Sequence, residues 1–306
     1  MQAPYILHLF TPAKQASPFD VNMAADAGWQ LIVPYCEAGT AQMQALTQDA
    51  IFSRGPKGVL RTGIFVGGRD ALVAMDMLER AKEAIVPPFT VGVMADPSGA
   101  YTTAAAMVAC VEASLKRHRP EGLKDLKVVV LGGLGPVGRI AGLMAAQAGA
   151  EVHLSSRNGR EQAETEAAAT ANRFGTVMHG VSGADPAAVR ASLADADVLL
   201  ACAAAGVQVA SAEDLSHARR LQVAADVNAV PPEGVAGVGV MDEGQPVAGT
   251  AAVGFGALAI GNWKYQTQHH LLLRLRERAK GDPAASLGWS EAFAMARQLL
   301  AEKPAA

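Results

Sequence analysis

The sequence predicts an α/β protein of two domains, the first with a mostly parallel sheet and the second with a doubly wound sheet. Three observations carry this prediction. The 306 residues suffice for about two domains of ordinary size. Short apolar runs alternate with amphipathic segments along the chain, as in sheets whose parallel strands are joined by helices. A glycine-rich loop near the middle of the chain stands between a predicted strand and a predicted helix.

The N-terminal α/β domain is predicted over residues 1–118. Short apolar runs without polar alternation are typical of strands buried on both faces of a parallel sheet. Four such runs are present: Tyr5–Phe10, Leu31–Tyr35, Gly63–Val66 and Thr90–Ala95. The segments with helical spacing are Phe19–Ala27, Thr40–Ser53, Asp70–Ile85 and a long helix after Gly99 that Pro120 ends. The βαβα order favours a mostly parallel sheet covered by helices.

A second α/β unit is predicted over residues 124–256, after a polar stretch from Lys116 to Lys127. Its predicted strands are Val128–Leu131, Glu151–Ser155, Thr176–Val181, Val198–Cys202, Gln222–Asp226 and Val238–Met241. Its predicted helices are Val137–Ala148 and Arg160–Arg173. In residues 257–306 the helices Ala257–Lys280 and Trp289–Glu302 are predicted, and we expect them to pack back on the N-terminal domain.

The composition excludes several classes of protein. Half of the residues are hydrophobic and 18% are charged, which is too apolar for a disordered chain. Lysine and arginine number 26 against 29 aspartate and glutamate, so the basic excess of a nucleic-acid-binding protein is lacking. The sequence starts without a basic leader segment and has no run of about 18 large apolar residues. We therefore expect a cytoplasmic protein that binds neither nucleic acid nor a membrane.

The most specific motif is G-x-G-x-x-G, formed by Gly133, Gly135 and Gly138. A Val/Leu strand precedes it, a helix follows through Pro136 and Val137, and a second strand completes a βαβ unit of about 30 residues. In such loops the first glycine makes a tight turn, the second lets the backbone approach a pyrophosphate, and the third lets helix and strand touch. The helix N-terminus offers N–H groups to the anion. We therefore predict a Rossmann-type dinucleotide-binding domain; a glycine-rich packing turn without a ligand is the alternative.

The end of the second strand of this unit indicates the coenzyme. A site selective for NAD usually places Asp or Glu there to bind the ribose hydroxyls. This chain has Ser155, Ser156 and Arg157 instead, and Arg160 follows. Hydroxyls and a guanidinium bind a 2′-phosphate through charge-assisted hydrogen bonds, so NADP is favoured. No residue of the segment excludes NAD, so use of both coenzymes stays open, as does the interpretation of both arginines as solvated charges.

The loops after the later strands are expected to contact the coenzyme, because ligands of doubly wound sheets lie beyond the carboxyl ends of the strands. The candidates are Ala203, Ala204, Ala205, Asn228, Gly254 and Phe255. The small side chains at 203–205 suit a close approach to the coenzyme. Asn228 would hold the nicotinamide ribose or amide, although an asparagine that forms the turn before two prolines is equally consistent with the sequence.

The cysteines and histidines predict no metal site. Cys36, Cys110 and Cys202 lie far apart in sequence and form no CxxC pair. His269 and His270 are adjacent, so on a helix their side chains point about 100° apart and make poor joint ligands. The nucleophile motif G-x-S-x-G and the metalloprotease motif HExxH are also absent. These absences suit hydride transfer, in which a bound coenzyme carries the chemistry.

Segments from both predicted domains resemble one known family. They are Phe19-Asp20-Val21, Phe52-Ser53-Arg54-Gly55, Ile64-Phe65-Val66-Gly67-Gly68, Thr102-Thr103-Ala104-Ala105-Ala106, the glycine loop, Asn228-Ala229 with Pro231-Pro232, and Phe255-Gly256-Ala257-Leu258 with Ile260-Gly261. The glycine loop is common to many dehydrogenases, whereas the combination is much more specific. It is similar to that of the NAD(P)-dependent methylene-tetrahydromethanopterin dehydrogenases of methylotrophic bacteria, which serve formaldehyde oxidation.

The resemblance implies a homo-oligomer that transfers a hydride from methylene-tetrahydromethanopterin to NADP+ or NAD+ in one-carbon metabolism. The methenyl product is a resonance-stabilised cation, so the protein mainly aligns the donor C–H and tolerates developing positive charge. On this basis Asp20 is the candidate carboxylate near the ring system, and Lys264 the candidate that orients polar groups of the pterin. Two alternatives stay open: Asp20 caps a helix, and Lys264 is an exposed structural lysine.

The remaining substrate candidates are Thr102, Thr103, Lys57 and Asn262, of which Lys57 would meet the acidic tail of the substrate. Two other functions stay open. A methylene-tetrahydrofolate or shikimate-type NADP dehydrogenase has the same two-domain plan, although the tyrosine–lysine motif of the folate cyclohydrolases is missing from this sequence. A non-catalytic NADP-sensing protein would need only the Rossmann-type domain.

Overall fold

The computed structural model describes residues 3–278 and 285–302. The chain divides into two compact units, the first made of Met1–Thr102 with Tyr265–Met295 and the second of Thr103–Lys264 with Ala296–Ala306. The boundaries between the two units fall within helices, whereas we predicted domain boundaries at residues 118, 124 and 256 from the sequence. The last residues of the predicted helix Ala257–Lys280 lie outside the described residues, and within the described ranges no helix is long and apolar enough to span a membrane.

The secondary structure alternates as predicted. The strands are β1 (Ile6–Phe10), β2 (Leu31–Tyr35), β3 (Thr62–Val66), β4 (Gly92–Ala95), β5 (Lys127–Leu131), β6 (Glu151–Ser156), β7 (Met178–Ser182), β8 (Val198–Ala201), β9 (Val223–Asp226), β10 (Glu243–Pro246), β11 (Val253–Phe255) and β12 (Ser286–Leu287). The helices are α1 (Pro18–Asp26), α2 (Met43–Phe52), α3 (Pro56–Val59), α4 (Ala71–Glu83), α5 (Ala100–Lys116), α6 (Pro136–Gln147), α7 (Arg160–Phe174), α8 (Pro186–Leu193), α9 (Ala212–Ser216), α10 (Ala257–Arg276) and α11 (Trp289–Ala301).

The sheet of the first unit has the strand order β12-β4-β3-β1-β2, and all of its pairs are parallel. Every residue of the inner strand β3 is buried, as its apolar run predicts. The prediction that β2 is buried on both faces is wrong. Leu31, Val33 and Pro34 are exposed, because β2 is the edge strand of this sheet.

The sheet of the second unit has the order β10-β11-β9-β8-β5-β6-β7, with β10 its only antiparallel strand among the described residues. Because β5 has β6 on one side and β8 on the other, the loop after β5 lies where the strand order reverses. Open α/β sheets bind their ligands at this point. The predicted α/β fold with mostly parallel sheets is thereby confirmed.

One predicted strand of the second unit is wrong, and two helices were not predicted. Residues 238–241 form a loop, not a strand, and the chain pairs later, in β10 and β11. Val238 is apolar because it packs in the hydrophobic core of this unit. The backbone turns just after it, where the N–H of Asp242 donates to the carbonyl of Gly239. The unpredicted helices are α8, which follows β7 in the chain, and α9, which follows β8.

Candidate functional site

The glycine loop after β5 is shaped by contacts that only glycine permits. Gly132 has φ +74°, and a Cβ there would lie 2.7 Å from the backbone nitrogen of Ala203. Gly132, not Gly133 as predicted, is therefore the residue in the left-handed turn. A Cβ on Gly133 would lie 2.8 Å from the backbone nitrogen of Ser155, so this glycine lets the loop pack against β6. A Cβ on Gly138 would lie 2.5 Å from the Gly132 carbonyl oxygen, which agrees with its predicted close packing.

The same loop presents the N-terminus of α6. Gly135 precedes the helix with extended backbone, and Pro136 and Val137 form its first positions. Proline suits the first position because its missing N–H has no partner to lose there. The first turn of a helix has backbone N–H groups without intrahelical acceptors, and they attract anions. This end of α6 can therefore bind a pyrophosphate.

The two serines at the end of β6 form hydrogen bonds with neighbouring segments of the protein. Ser155 is buried, and its Oγ accepts the backbone N–H of Gly132 at 3.1 Å, which ties the glycine loop to β6. Ser156 Oγ donates to Gln162 Oε1 at 2.7 Å and accepts the backbone N–H of Asn158 at 3.1 Å. Arg157 follows and is exposed, and its guanidinium forms no hydrogen bond or ion pair with the described residues. The arginine is thus the available cation at this strand end.

A cavity of about 760 Å³ connects these features. It extends from the glycine loop across the carboxyl ends of β6, β7 and β8, and its walls lie entirely within the second unit. Of the predicted coenzyme contacts, it is lined by Gly135, Ser155, Ser156, Arg157, Ala203 and Ala204. Its volume and the helix N-terminus beside it suit an adenosine and a pyrophosphate.

Other predicted coenzyme contacts lie outside the residues that line this cavity. Arg160 instead lines a second groove of about 520 Å³. Gly254 and Phe255 are buried in β11, where a Cβ on Gly254 would lie 3.2 Å from Val238. Ala205 is exposed in the loop after β8.

Asn228 is buried, and its amide forms three hydrogen bonds with the protein. Its Oδ1 accepts the backbone N–H groups of Gly206 and Val230, both at 3.0 Å. Its Nδ2 donates to the carbonyl of Pro232 at 2.8 Å. This geometry corresponds to the turn-forming asparagine that the sequence left as an alternative.

Burial dominates the electrostatics at the ends of β8 and β9. Burial raises the pKa of the Asp226 carboxyl above its ordinary value, although it accepts backbone N–H groups from Asn228, Gly234 and Val235. Burial also raises the pKa of the Cys202 thiol, and the Asp226 charge adds to the effect. Cys202 is therefore a neutral packing residue in contact with Met107, with a sulfur–sulfur distance of 3.7 Å.

In the first unit, Asp20 is buried at the carboxyl edge of the sheet. It is 4% exposed, and Gln268 Nε2 lies 3.5 Å from its Oδ1. Its Oδ2 lies 3.6 Å from the place that a Cβ of Gly67 would take, just after β3. Helix α1 begins at Pro18 with Ser17 as the N-cap residue, so Asp20 lies in the first turn and is not the N-cap.

The other predicted substrate contacts are dispersed. Thr102 is fully buried, and its Oγ1 donates to Asp96 Oδ2 at 2.6 Å at the start of α5, whereas Thr103 is half-buried. Lys57 is exposed in the short helix α3, just before β3, and therefore lies at the amino edge of the sheet. In α10, Asn262 is exposed and Lys264 is half-buried.

Several residues that line the main cavity were not predicted from the sequence: Gly132, Asn158, Gln162, Asp185, Ser211 and Asp214. Two helix-start signals could have found some of them. Asp185 precedes Pro186, the pattern of an N-cap before a first-turn proline. Ser211 and Asp214 form a capping box at the start of α9. Each pattern places a helix start beside the end of a strand, where ligands bind.

Comparisons with known proteins agree with this arrangement. Residues 18–98 match a family model described as methylene-tetrahydromethanopterin dehydrogenase, N-terminal. The chain is 47% identical over 272 residues to the NAD(P)-dependent methylenetetrahydromethanopterin dehydrogenase of Methylorubrum extorquens strain AM1, which covers 89% of this chain and 92% of that relative. It is 32% identical over 276 residues to the Bifunctional protein MdtA of the same organism, over 90% of this chain and 93% of that one.

Solved structures share the fold at low sequence identity. Quinate dehydrogenase from Corynebacterium glutamicum, in complex with NAD, has a TM-score of 0.54 and 13% identity over 96% of this chain and 98% of its own. Shikimate 5-dehydrogenase from Listeria monocytogenes, in complex with shikimate and NAD, has a TM-score of 0.51 and 14% identity over 95% and 96%. At these identities the likeness concerns the fold alone.

Proposed function

This chain belongs to the methylene-tetrahydromethanopterin dehydrogenase family, and we propose how its own residues carry out hydride transfer from methylene-tetrahydromethanopterin to NAD(P)+. The resemblance drawn from the sequence is thereby confirmed. The observation that carries the proposal is that the close family relationship extends over nearly the whole chain, while the second unit retains an intact dinucleotide cavity. The reaction oxidises the methylene compound to the methenyl cation and reduces the coenzyme, without release of a proton from the reacting carbon.

The main cavity fits NADP or NAD. The N-terminus of α6 faces the glycine loop, where Gly132, Gly133 and Gly138 occupy positions that a Cβ would block. The backbone can therefore approach a pyrophosphate closely. Arg157 lines the cavity and has no partner among the described residues, so it is available to a 2′-phosphate. When bound, the coenzyme supplies the hydride acceptor.

In the first unit, Asp20 is the group that stabilises developing positive charge on the substrate. The residue is 4% exposed, and a charge shielded from water acts more strongly on its surroundings than an exposed one. Gln268 lies beside Asp20 Oδ1 and helps to fix its orientation. We assign Lys264, Asn262 and Thr103 to polar groups of the substrate.

Lys57 and Thr102 take secondary places in this proposal. Lys57 lies at the amino edge of the sheet, so it would meet only the distant acidic tail of the substrate. The Thr102 hydroxyl is committed to Asp96, so it would act by holding the start of α5. Neither residue is placed beside the reacting carbon.

We also infer that the enzyme works in the cytoplasm as a homo-oligomer and without nucleic acid. The net charge of −3 supports the absence of a nucleic-acid partner. The resemblance supports the homo-oligomer. Light scattering after size-exclusion chromatography measures the assembly, and a monomer at micromolar concentration would contradict this inference.

The proposal is tested by steady-state kinetics on Asp20→Asn. The variant removes the charge and keeps the shape, so kcat should fall about 10- to 1,000-fold while the dissociation constant of the coenzyme is unchanged. Asp26→Asn is the matched control, because Asp26 belongs to the same helix and is exposed. Equal kcat values of the two variants would show that the Asp20 carboxylate takes no part in the reaction.

A second variant tests the coenzyme site. Arg157→Ala should weaken NADPH about 10- to 100-fold, because a charge-assisted hydrogen bond to phosphate is lost, and should weaken NADH less than about threefold. Arg117→Ala is the control for the loss of one exposed positive charge in the same unit. Equal weakening of both coenzymes would exclude Arg157 from the 2′-phosphate site.

A further inference from the structure

One wall of the main cavity is formed by the segment after β6, residues 156–162, and two side-chain hydrogen bonds fix its conformation. Ser156 is only 6% exposed, and its hydroxyl both donates its one hydrogen to Gln162 Oε1 and accepts the backbone N–H of Asn158. Gln162 lies in the first turn of α7, and its side chain lines the cavity. Because its Oε1 is bound by Ser156, the polar group that remains is its Nε2. That nitrogen donates to no other described residue.

The charge of this wall is as informative as its geometry. Besides Gln162, the segment after β6 contributes Arg157 and Asn158 to the cavity, whereas the neighbouring Glu161 is not among its lining residues. This segment therefore contributes one cation and neutral amides to the cavity, but no carboxylate. The carboxylates that line the cavity, Asp185 and Asp214, belong to other segments and accept backbone N–H groups at the starts of α8 and α9. A carboxylate in the segment after β6 would accept a hydrogen bond from a ribose hydroxyl and repel a phosphate.

We propose that Gln162 is the residue that lets this enzyme accept both coenzymes. Its Nε2 donates a hydrogen bond to the 2′ substituent of the adenosine ribose, which is a hydroxyl in NAD and a phosphate in NADP. A neutral amide donates to either group, while Arg157 adds affinity for the phosphate alone. Ser156 is a positioning residue that fixes the Gln162 amide. The inference rests only on the coenzyme half of the proposed function.

The decisive variant is Gln162→Glu, studied by calorimetric titration with NADPH and with NADH in the absence of any pterin. The added carboxylate should weaken NADPH about 30-fold or more, because it faces the 2′-phosphate, and should leave NADH within about threefold. Gln147→Glu is the matched control, since it makes the same charge change at an exposed residue at the far end of α6. Equal effects of Gln162→Glu on the two coenzymes, or no effect on either, would overturn the proposal.

Gln162→Leu provides an independent test that adds no charge. Loss of the amide hydrogen bond should weaken both coenzymes, NADH about three- to tenfold and NADPH by at least as much, because a hydrogen bond to a phosphate is charge-assisted. A loss confined to one coenzyme, or none at all, would overturn the proposal. A melting temperature near that of the wild type shows that the variant is folded.

Ser156 is tested by rescue. Ser156→Ala should weaken both coenzymes by a similar factor, because Gln162 loses the donor that orients it, and Ser156→Thr should restore them. Failure of threonine to restore binding at an unchanged melting temperature would contradict the positioning role. The outcome is separable from the proposed function, because these titrations do not depend on turnover: wild-type protein that binds neither coenzyme would reject the proposed function itself.

Discussion

The side-chain oxygen of Asn228 accepts the backbone N–H of Gly206 at 3.0 Å. The two residues are 22 positions apart and belong to the loops that follow β8 and β9. The same asparagine also holds its own loop, through Val230 and Pro232. One buried amide therefore joins two loops at the carboxyl edge of the sheet, where the main cavity lies.

Asn228→Ala should lower both stability and coenzyme affinity. The substitution removes the acceptor of the Gly206 and Val230 N–H groups, which water can partly replace because Gly206 is half-buried and Val230 is exposed, so each lost hydrogen bond costs about 0.5–1.5 kcal/mol. We expect the free energy of unfolding in urea to fall by about 1–2 kcal/mol and NADPH to bind more weakly, since Ala203 and Ala204 in the loop before Gly206 line the cavity. Asn172→Ala, at an exposed position of α7, should change neither quantity. Unaltered stability of Asn228→Ala would contradict the role of this amide.

Asp226 predicts a specific pH dependence. Burial raises its pKa in the folded state, so the folded protein binds the proton more tightly than the unfolded chain does. The Asp226 contribution to the free energy of unfolding should therefore decrease as the pH rises from the ordinary carboxyl pKa to the raised one, and stay constant above it. Asp226→Asn cannot titrate, so the stability difference between the wild type and this variant should narrow over that interval. A difference that widens with pH would show that the three N–H donors outweigh burial.

Asp197 predicts a contrast between a buried and an exposed carboxylate in the same turn. Asp197 is buried, and it binds Arg220 through both oxygens and accepts the backbone N–H of Lys127. Asp195 is exposed and pairs with the side chain of the same lysine. Asp197→Ala should lower the free energy of unfolding by about 2 kcal/mol, because the Lys127 N–H and the exposed Arg220 lose their acceptor, and Asp195→Ala by less than about 1 kcal/mol. Similar losses in urea titrations would contradict this difference.

The thiols should react at two very different rates. Cys36 is exposed, whereas Cys110 and Cys202 are buried, and the raised pKa of Cys202 keeps it protonated. A disulfide reagent such as DTNB should therefore modify one thiol rapidly in the folded protein and the other two only after unfolding. Cys36→Ser should abolish the rapid phase. Rapid modification of a second thiol would show that a buried cysteine is accessible.

The periodic parts of the fold could be predicted from the sequence because local patterns determine them. Helix α6 and strands β5 and β6 were placed to within one residue, since a buried apolar strand, a glycine loop and an amphipathic helix follow one another without interruption. The exposure of β2 could not be predicted, because LIVPY is equally apolar in an inner strand and at an edge. The strand predicted at Val238–Met241 was wrong for the same reason, because a buried loop residue and a strand residue are equally apolar.

Prediction of the candidate site was limited by contacts that are distant in sequence. The glycine motif and Arg157 were found because they act through local geometry and charge. The role of Gly132 depends on the approach of Ala203, and that of Asn228 on Gly206, and neither approach is visible before the strands are ordered. Gln162 has no motif of its own, and only its bond to Ser156 identifies it.

The central claim is most directly tested by the increase in absorbance of the reduced nicotinamide when purified protein meets methylene-tetrahydromethanopterin with NADP+ or NAD+. Methylene-tetrahydrofolate serves as the competing substrate in the same assay. We predict turnover with the methanopterin compound and both coenzymes, at a rate well above that with the folate. No turnover with methylene-tetrahydromethanopterin, or turnover with the folate alone, would contradict the proposed function.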